Sequence, residues 1–194
     1  LHAANPAISP DGTAVAFEGR VPPALPDVHL VPFAGGTPVA LAASAASDAG
    51  PAWQDDGTLV FVSDRTGTGN FQVWRVGTDG GGLERLTDYL TRAGGTGIVL
   101  GKAAVSPEGT ELAFARSATP VSRVVVRTIA TGAERILAAH DDSEPCFDPA
   151  GGELALMTYE LGQAEVVVRS LADGSLLRRV TDGPQTDGAP VYAR

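Results

Sequence analysis

Apolar positions in this chain come in short runs rather than long amphipathic stretches. Four runs (14–17, 59–62, 112–115 and 154–157) are nearly all apolar, and each follows a Gly-containing turn within two or three residues. A second set (28–33, 71–76, 123–129 and 164–171) is rich in Val and Ile, which suit a pleated, half-buried strand. A second glycine turn follows each of these, at Gly35-Gly36, Gly80-Gly81-Gly82, Gly132 and Gly174. Fourth segments then run over 38–41, 83–87, 134–137 and 176–181. Brief segments such as 7–9 and 52–54 lead into the first turn of their units and complete four strands per unit.

The pattern is an internal repeat. NPAISPDGTAVAF from Asn5, GPAWQDDGTLVFV from Gly50, KAAVSPEGTELAF from Lys102 and EPCFDPAGGELAL from Glu144 align on Gly12, Gly57, Gly109 and Gly151, at spacings of 45, 52 and 42 residues. A fifth copy opens at Ala189 as APVYAR. Pro10-Asp11-Gly12 shows why the turn is tight. Pro presets φ, Asp bonds its own backbone, and Gly accepts φ > 0. In-phase copies at a period of roughly 40–45 residues point to radial repetition rather than a sandwich of unrelated hairpins. The expected fold is all-β, a β-propeller of four-stranded antiparallel blades with four full repeats plus the start of a fifth. The blades fall near 5–49, 50–101, 102–143 and 144–187 of a single domain, with an extra inner strand at 188–194.

The second unit carries the most detail: Pro51-Ala-Trp53, Asp56-Gly57, Phe61-Val62-Ser63-Asp64-Arg65, Gly67, Val73-Trp74, Thr78-Asp79-Gly80-Gly81 and Arg85-Leu86-Thr87. These residues resemble the TolB-type, WD-like propeller repeat over nearly the whole chain. Units one, three and four keep the turn and second strand and depart from the pattern afterwards, although Val180-Thr181-Asp182 persists. The resemblance implies scaffolds of the periplasm, gating domains of peptidases, or occasional enzymes. It also implies six blades, more than this chain carries. Three readings follow: a piece of a longer propeller, a small closed one, or an open arc that pairs with a second copy or another subunit.

Composition narrows the partners. With 14 basic and 23 acidic residues the formal net charge is −9, and the basic residues, all Arg except Lys102, form no run. No cationic surface exists to release phosphate counterions or to seat on anionic lipid, so neither nucleic acid nor direct membrane insertion is expected. No stretch of about 18 uninterrupted apolar residues occurs. A single cysteine excludes an internal disulfide framework and any cysteine-based zinc cluster. The chain opens Leu1-His2, consistent with an exported protein whose leader has been removed or with a chain beginning inside a longer one.

Catalytic constellations are missing. There is no Gly-x-Ser-x-Gly elbow, Gly101-Lys102 lacks the rest of a Walker loop, and 67–72 fails the dinucleotide pattern at its last glycine. Asp64 opens a faint calcium-loop echo whose twelfth position is Arg75 instead of Glu. His2, His29 and His140 are far apart. His140-Asp141-Asp142 alone puts an imidazole beside carboxylates; it reads as a cation or acid–base site, or as a solvated loop between blades. Cys146 sits on an inner strand as a small hydrophobe, and Trp53 and Trp74 as packing residues. No cofactor and no metal are expected.

Binding is therefore expected in loops. The turns between first and second and between third and fourth strands are tight, while the opposite end carries the variable connections. Segment 89–101 is the longest departure from the repeat. An exposed tip of Ile98, Val99 and Leu100 with Tyr89 and Arg92 would anchor a protein partner, and His140 and Asp141 in the loop between blades three and four are further contact candidates. The expected function is a noncatalytic propeller that binds protein, an accessory or scaffold subunit of a periplasmic or envelope assembly. The alternative is the gating part of a prolyl-oligopeptidase-type peptidase.

Overall fold

The computed structural model describes residues 1–55, 57–67, 69–89, 99–117, 120–160, 162–183 and 190–192. These form strands and turns and no helix, so no helix is long and apolar enough to cross a membrane. The strands are β1 (His2–Ile8), β2 (Ala14–Arg20), β3 (Asp27–Pro32), β4 (Val39–Ala40), β5 (Asp48–Asp55), β6 (Thr58–Ser63), β7 (Gln72–Gly77) and β8 (Glu84–Arg85). Then follow β9 (Val99–Val105), β10 (Glu111–Arg116), β11 (Arg123–Thr128), β12 (Glu134–Ala138), β13 (Ser143–Phe147), β14 (Glu153–Thr158), β15 (Glu165–Ser170) and β16 (Leu176–Arg179). Each repeat is one antiparallel four-stranded sheet paired in sequence order. These are the four blades expected. Residues 190–192 of the fifth copy carry no strand, and 184–189 with 193–194 lie outside the described residues.

The chain divides into two compact units, Leu1–Thr91 and Arg92–Arg194, each holding two blades. In the first, β5 of the second blade packs on β1, β2 and β3 of the first. Trp53, Leu59, Phe61 and Val76 meet Ala16, Val28 and Leu41 there, and the Trp53 indole donates to the Ala7 carbonyl at 2.9 Å. The second unit repeats the arrangement, with Phe147, Leu154, Leu156 and Val167 against Ala113, Val124, Val126 and Leu137. One blade offers large side chains and its neighbour a face of small and β-branched ones, so the layers interdigitate.

Side chains lock the entry turns. The Ser9 hydroxyl donates to Asp11 Oδ1 (2.6 Å), which also accepts the Thr13 N–H (2.9 Å). The Ser9 bond, with help from Thr13, holds the Asp11 carboxyl below its ordinary range. Ser106 and Asp148 occupy the Ser9 position, accepting the Glu111 and Glu153 N–H groups at 3.0 and 2.6 Å. Gly12, Gly109 and Gly151 take φ of 74°, 69° and 75°. The second blade differs by one residue. Ile8 pairs with Val15, Val105 with Leu112 and Phe147 with Leu154, but Trp53 pairs with Leu59. Aligning on Gly57 therefore misplaces its second strand by one. Leu59 and Phe61 are the counterparts of Val15 and Phe17.

Inner strands are longer than the sequence segments suggested, because each carries a bulge that lets pairing continue beyond it. The register shifts between Ala4 and Ala7, between Ala49 and Ala52 and between Ser143 and Cys146, and in β9 opposite Phe114 and Ala115. At each bulge one residue has positive φ: Asn5 (47°), Gly50 (58°), Gly101 (64°) and Glu144 (51°).

Candidate interaction face

In an antiparallel blade the second-to-third connection and the exit of the fourth strand share one end. At that end of the first unit, Asp48 is fully buried. Its Oδ1 accepts the Ser63 hydroxyl at 2.5 Å, and its Oδ2 pairs with the Arg65 guanidinium at 2.7 Å. Arg65 also donates to the Ala42 carbonyl (3.2 Å) and lies over the Phe61 and Trp74 rings, 5.1 Å from each centroid. Burial pushes the Asp48 carboxyl above its ordinary range, with Ser63 and Arg65 pulling against it. The same cluster pins three connections. The Asp48 N–H donates to the Pro26 carbonyl (2.8 Å), the Ser44 N–H to Asp27 (3.2 Å), and the Ser47 N–H to Asp64 (2.8 Å). Buried Gln72 accepts from the Thr87 hydroxyl (2.9 Å) and from the Tyr89 N–H (3.2 Å). The Asp64 carboxylate thus ties the segment before β5 to the end of β6.

The corresponding end of the second unit is built similarly. Asp141, at φ 63°, accepts the Ser122 hydroxyl (2.7 Å) and N–H (3.2 Å). Asp142 is fully buried and accepts the His140 N–H at 2.7 Å. The half-exposed His140 ring lies 3.8 Å from Glu160, which also pairs with the buried Arg169; Arg169 caps the Gly174 carbonyl at 3.0 Å. Tyr159 beside it is exposed.

These placements correct the expected contact tip. Tyr89 is buried, its backbone tied to Gln72. Val99 is buried in β9, paired with Arg116, and Leu100 follows it in the same strand opposite Ala115. Both are strand residues, because β9 begins earlier than the repeat boundary at Lys102 implied. Arg92 and Ile98 lie outside the described residues. His140 is accessible, whereas the Asp141 carboxylate is occupied by Ser122 of the β10–β11 connection. Sequence reading missed Arg65 and Glu160 as loop organisers. The Ser63-Asp64-Arg65 string was the available signal for the first; nothing in the repeat marks the second.

Cys146 is half-buried, its thiol 3.7 Å from the Phe147 carbonyl. Among the described residues no group of three His, Cys, Asp or Glu side chains is placed to hold a metal ion. Among the described residues, the ionisable side chains at these ends bind loops to one another.

No family model matches the chain. It is 32% identical over 127 residues to the TolB homologue of Chlorobaculum tepidum, covering 64% of this chain and 27% of that one. A putative TolB from Agrobacterium tumefaciens superposes with a TM-score of 0.80 at 18% identity, covering 97% of this chain and 65% of the other. In fold the blades are similar to those of TolB propellers. A puromycin-hydrolysing peptidase of Mycobacterium tuberculosis also shares the fold (TM-score 0.69, 22% identity), over 95% of this chain and 30% of its own. The chain thus spans about a quarter of the length of the curated TolB relative.

Proposed function

We propose that this TolB-type chain is a noncatalytic binding module that engages a protein partner through its loop ends, within a periplasmic or envelope assembly. One observation carries the reading. Asp48, Arg65, Asp141 and Asp142 at these ends are bonded within the chain, and Val21, Leu25 and Tyr159 are exposed beside them in sequence. Rigid apolar and aromatic tips lose little entropy on docking and dominate interface energy. His140, Arg92 and Ile98 belong to the proposed contact; Asp141 supports it by holding Ser122, while Tyr89 and Val99 are buried. The curated TolB relative favours the exported location. A photoreactive residue placed at Leu25, at Arg92 or at Tyr159 in living cells should give a discrete adduct with one protein. The same residue at Asp79 or Asp173, in the tight turns, should give none. Equal adducts from both ends, or none from the loop end, would exclude this role.

A second reading follows from the peptidase likeness: the blades gate a hydrolase domain. It predicts that the adducts form within one longer polypeptide carrying a Gly-x-Ser-x-Gly segment, which peptide mapping of the adduct would reveal.

A further inference from the structure

The third strand of each blade opens on a polar residue at the same register. These are Asp27, Gln72, Arg123 and Glu165, opposite Gly19, Ser63, Arg116 and Thr158. Three of them offer an acceptor that their own blade satisfies. Asp27 takes the Ser44 N–H at 3.2 Å, Gln72 the Thr87 hydroxyl and the Tyr89 N–H, and Glu165 the Arg179 guanidinium. Arg123 breaks the series, being a donor without an acceptor. Its Nε is enclosed and bonds to nothing, and no carboxylate lies within ion-pair distance of it among the described residues. Every other described arginine except the exposed Arg20 has a carboxylate beside it.

The surroundings of Arg123 add positive charge. Arg116 lies directly opposite, Arg127 follows on the same sheet face, and these two share Glu134 at 3.7 and 2.9 Å. Like charges opposite one another destabilise an antiparallel pair, and a guanidinium keeps its proton in proteins. What this position lacks is an anion. Arg123 also follows Ser122, which Asp141 holds at the loop end, and it is itself only part-buried. We infer that Arg123 receives a carboxylate, the Asp or Glu side chain of the protein partner; the inference rests on the loop-end reading above. The planar fork of an arginine grips a carboxylate through two parallel hydrogen bonds, and Arg116 across the strand adds attraction. A net charge of −9 repels polyanions such as nucleic acid or an anionic lipid surface, which favours a single carboxylate on a protein.

Arg123→Gln tests this with little risk to the fold, because Gln72 fills the same position in the second blade. Its urea midpoint should equal or exceed the parent's, since repulsion from Arg116 is relieved. With the photoreactive residue at Tyr159, Arg123→Gln should lower the adduct yield about tenfold or more, the effect of one charge-assisted bond, whereas Arg20→Gln should leave it unchanged. Acetate exchanged for chloride at constant ionic strength should shift the Arg123 Nε–H resonance of the unaltered chain and leave that of Arg20 in place. A lowered midpoint, an undiminished adduct or an unmoved Arg123 resonance would each overturn the inference, and none of these touches the loop-end reading. Absence of adduct from every loop-end position of the unaltered chain would overturn both.

Discussion

At the scale of single residues, Arg65 holds the most consequential position. It is the counter-charge of a fully buried carboxylate, and removing one member of such a pair typically costs about 3–5 kcal/mol. Arg65→Ala should destabilise by that order in urea titrations at neutral pH. The pH dependence has a definite sign. The Asp48 carboxyl is raised in the folded chain, so its contribution to stability is fully present below its unfolded value and is lost as pH rises through the folded one. Without Arg65 the carboxyl rises further. The deficit of Arg65→Ala against the parent should therefore narrow as pH falls from neutrality into the ordinary carboxylate range; a constant deficit would show that Arg65 acts by packing alone. Glycines offer a second comparison. Gly12 and Gly174 share nearly the same φ, 74° and 75°, but a Cβ at Gly12 meets nothing whereas one at Gly174 would lie 2.2 Å from the Leu137 carbonyl oxygen. Gly12→Ala should cost about 1–2 kcal/mol for the left-handed backbone. Gly174→Ala should cost more by a further 1–3 kcal/mol or so for overlap, measurable as separate urea midpoints.

At the scale of elements, the joint between blades can be dissected at Trp53, which fills the first blade's Val28–Leu41 surface and donates to the Ala7 carbonyl. Trp53→Phe keeps the ring and loses the hydrogen bond, for about 1 kcal/mol. Trp53→Ala opens a cavity, for about 3–5 kcal/mol. Equal costs would mean that the hydrogen bond, and not the ring, joins the blades. The joint was only partly legible beforehand. The repeat, its turns and the β-branched runs announce four-stranded blades, because local turn chemistry and period-two burial act over a few residues. The bulges are fainter: residues such as Asn5 and Gly50 before a proline are their only trace. The missing turn residue of the second blade is invisible to an alignment anchored on glycine, since it shows only in which residue lies opposite Trp53. The candidate face was least legible. Tyr89 and Val99 look like contact residues in a long irregular segment, and only pairing with Gln72 and Arg116 reveals them as internal. Glu160 organises its loop through residues 9 and 20 positions away, beyond any local pattern.

At the scale of the whole molecule, a repeat chain is stabilised by intrinsic blade terms plus interfaces between neighbours, so the same position differs in worth along the chain. Ile8, Trp53 and Phe147 are equivalent by register, pairing with Val15, Leu59 and Leu154 of the next strand. Trp53 and Phe147 are 8% and 7% exposed against the blade before them, while Ile8 is 52% exposed and the whole of β1 is open to solvent apart from Ala7. Hydrophobic burial scales with area removed from water, and a charge in the core is far costlier than the same charge at a wet surface. Ile8→Asp should therefore alter stability by no more than about 0.5 kcal/mol, the range of ordinary surface changes. Phe147→Asp should unfold the second unit or cost upward of about 4 kcal/mol. Urea titrations followed by far-ultraviolet circular dichroism separate the two. Comparable losses in both variants would mean that Ile8 is buried in solution, its face taken up by a further blade or another molecule. A silent Ile8→Asp that nevertheless abolishes a partner's binding would move the contact surface from the loop ends to the side of the first blade.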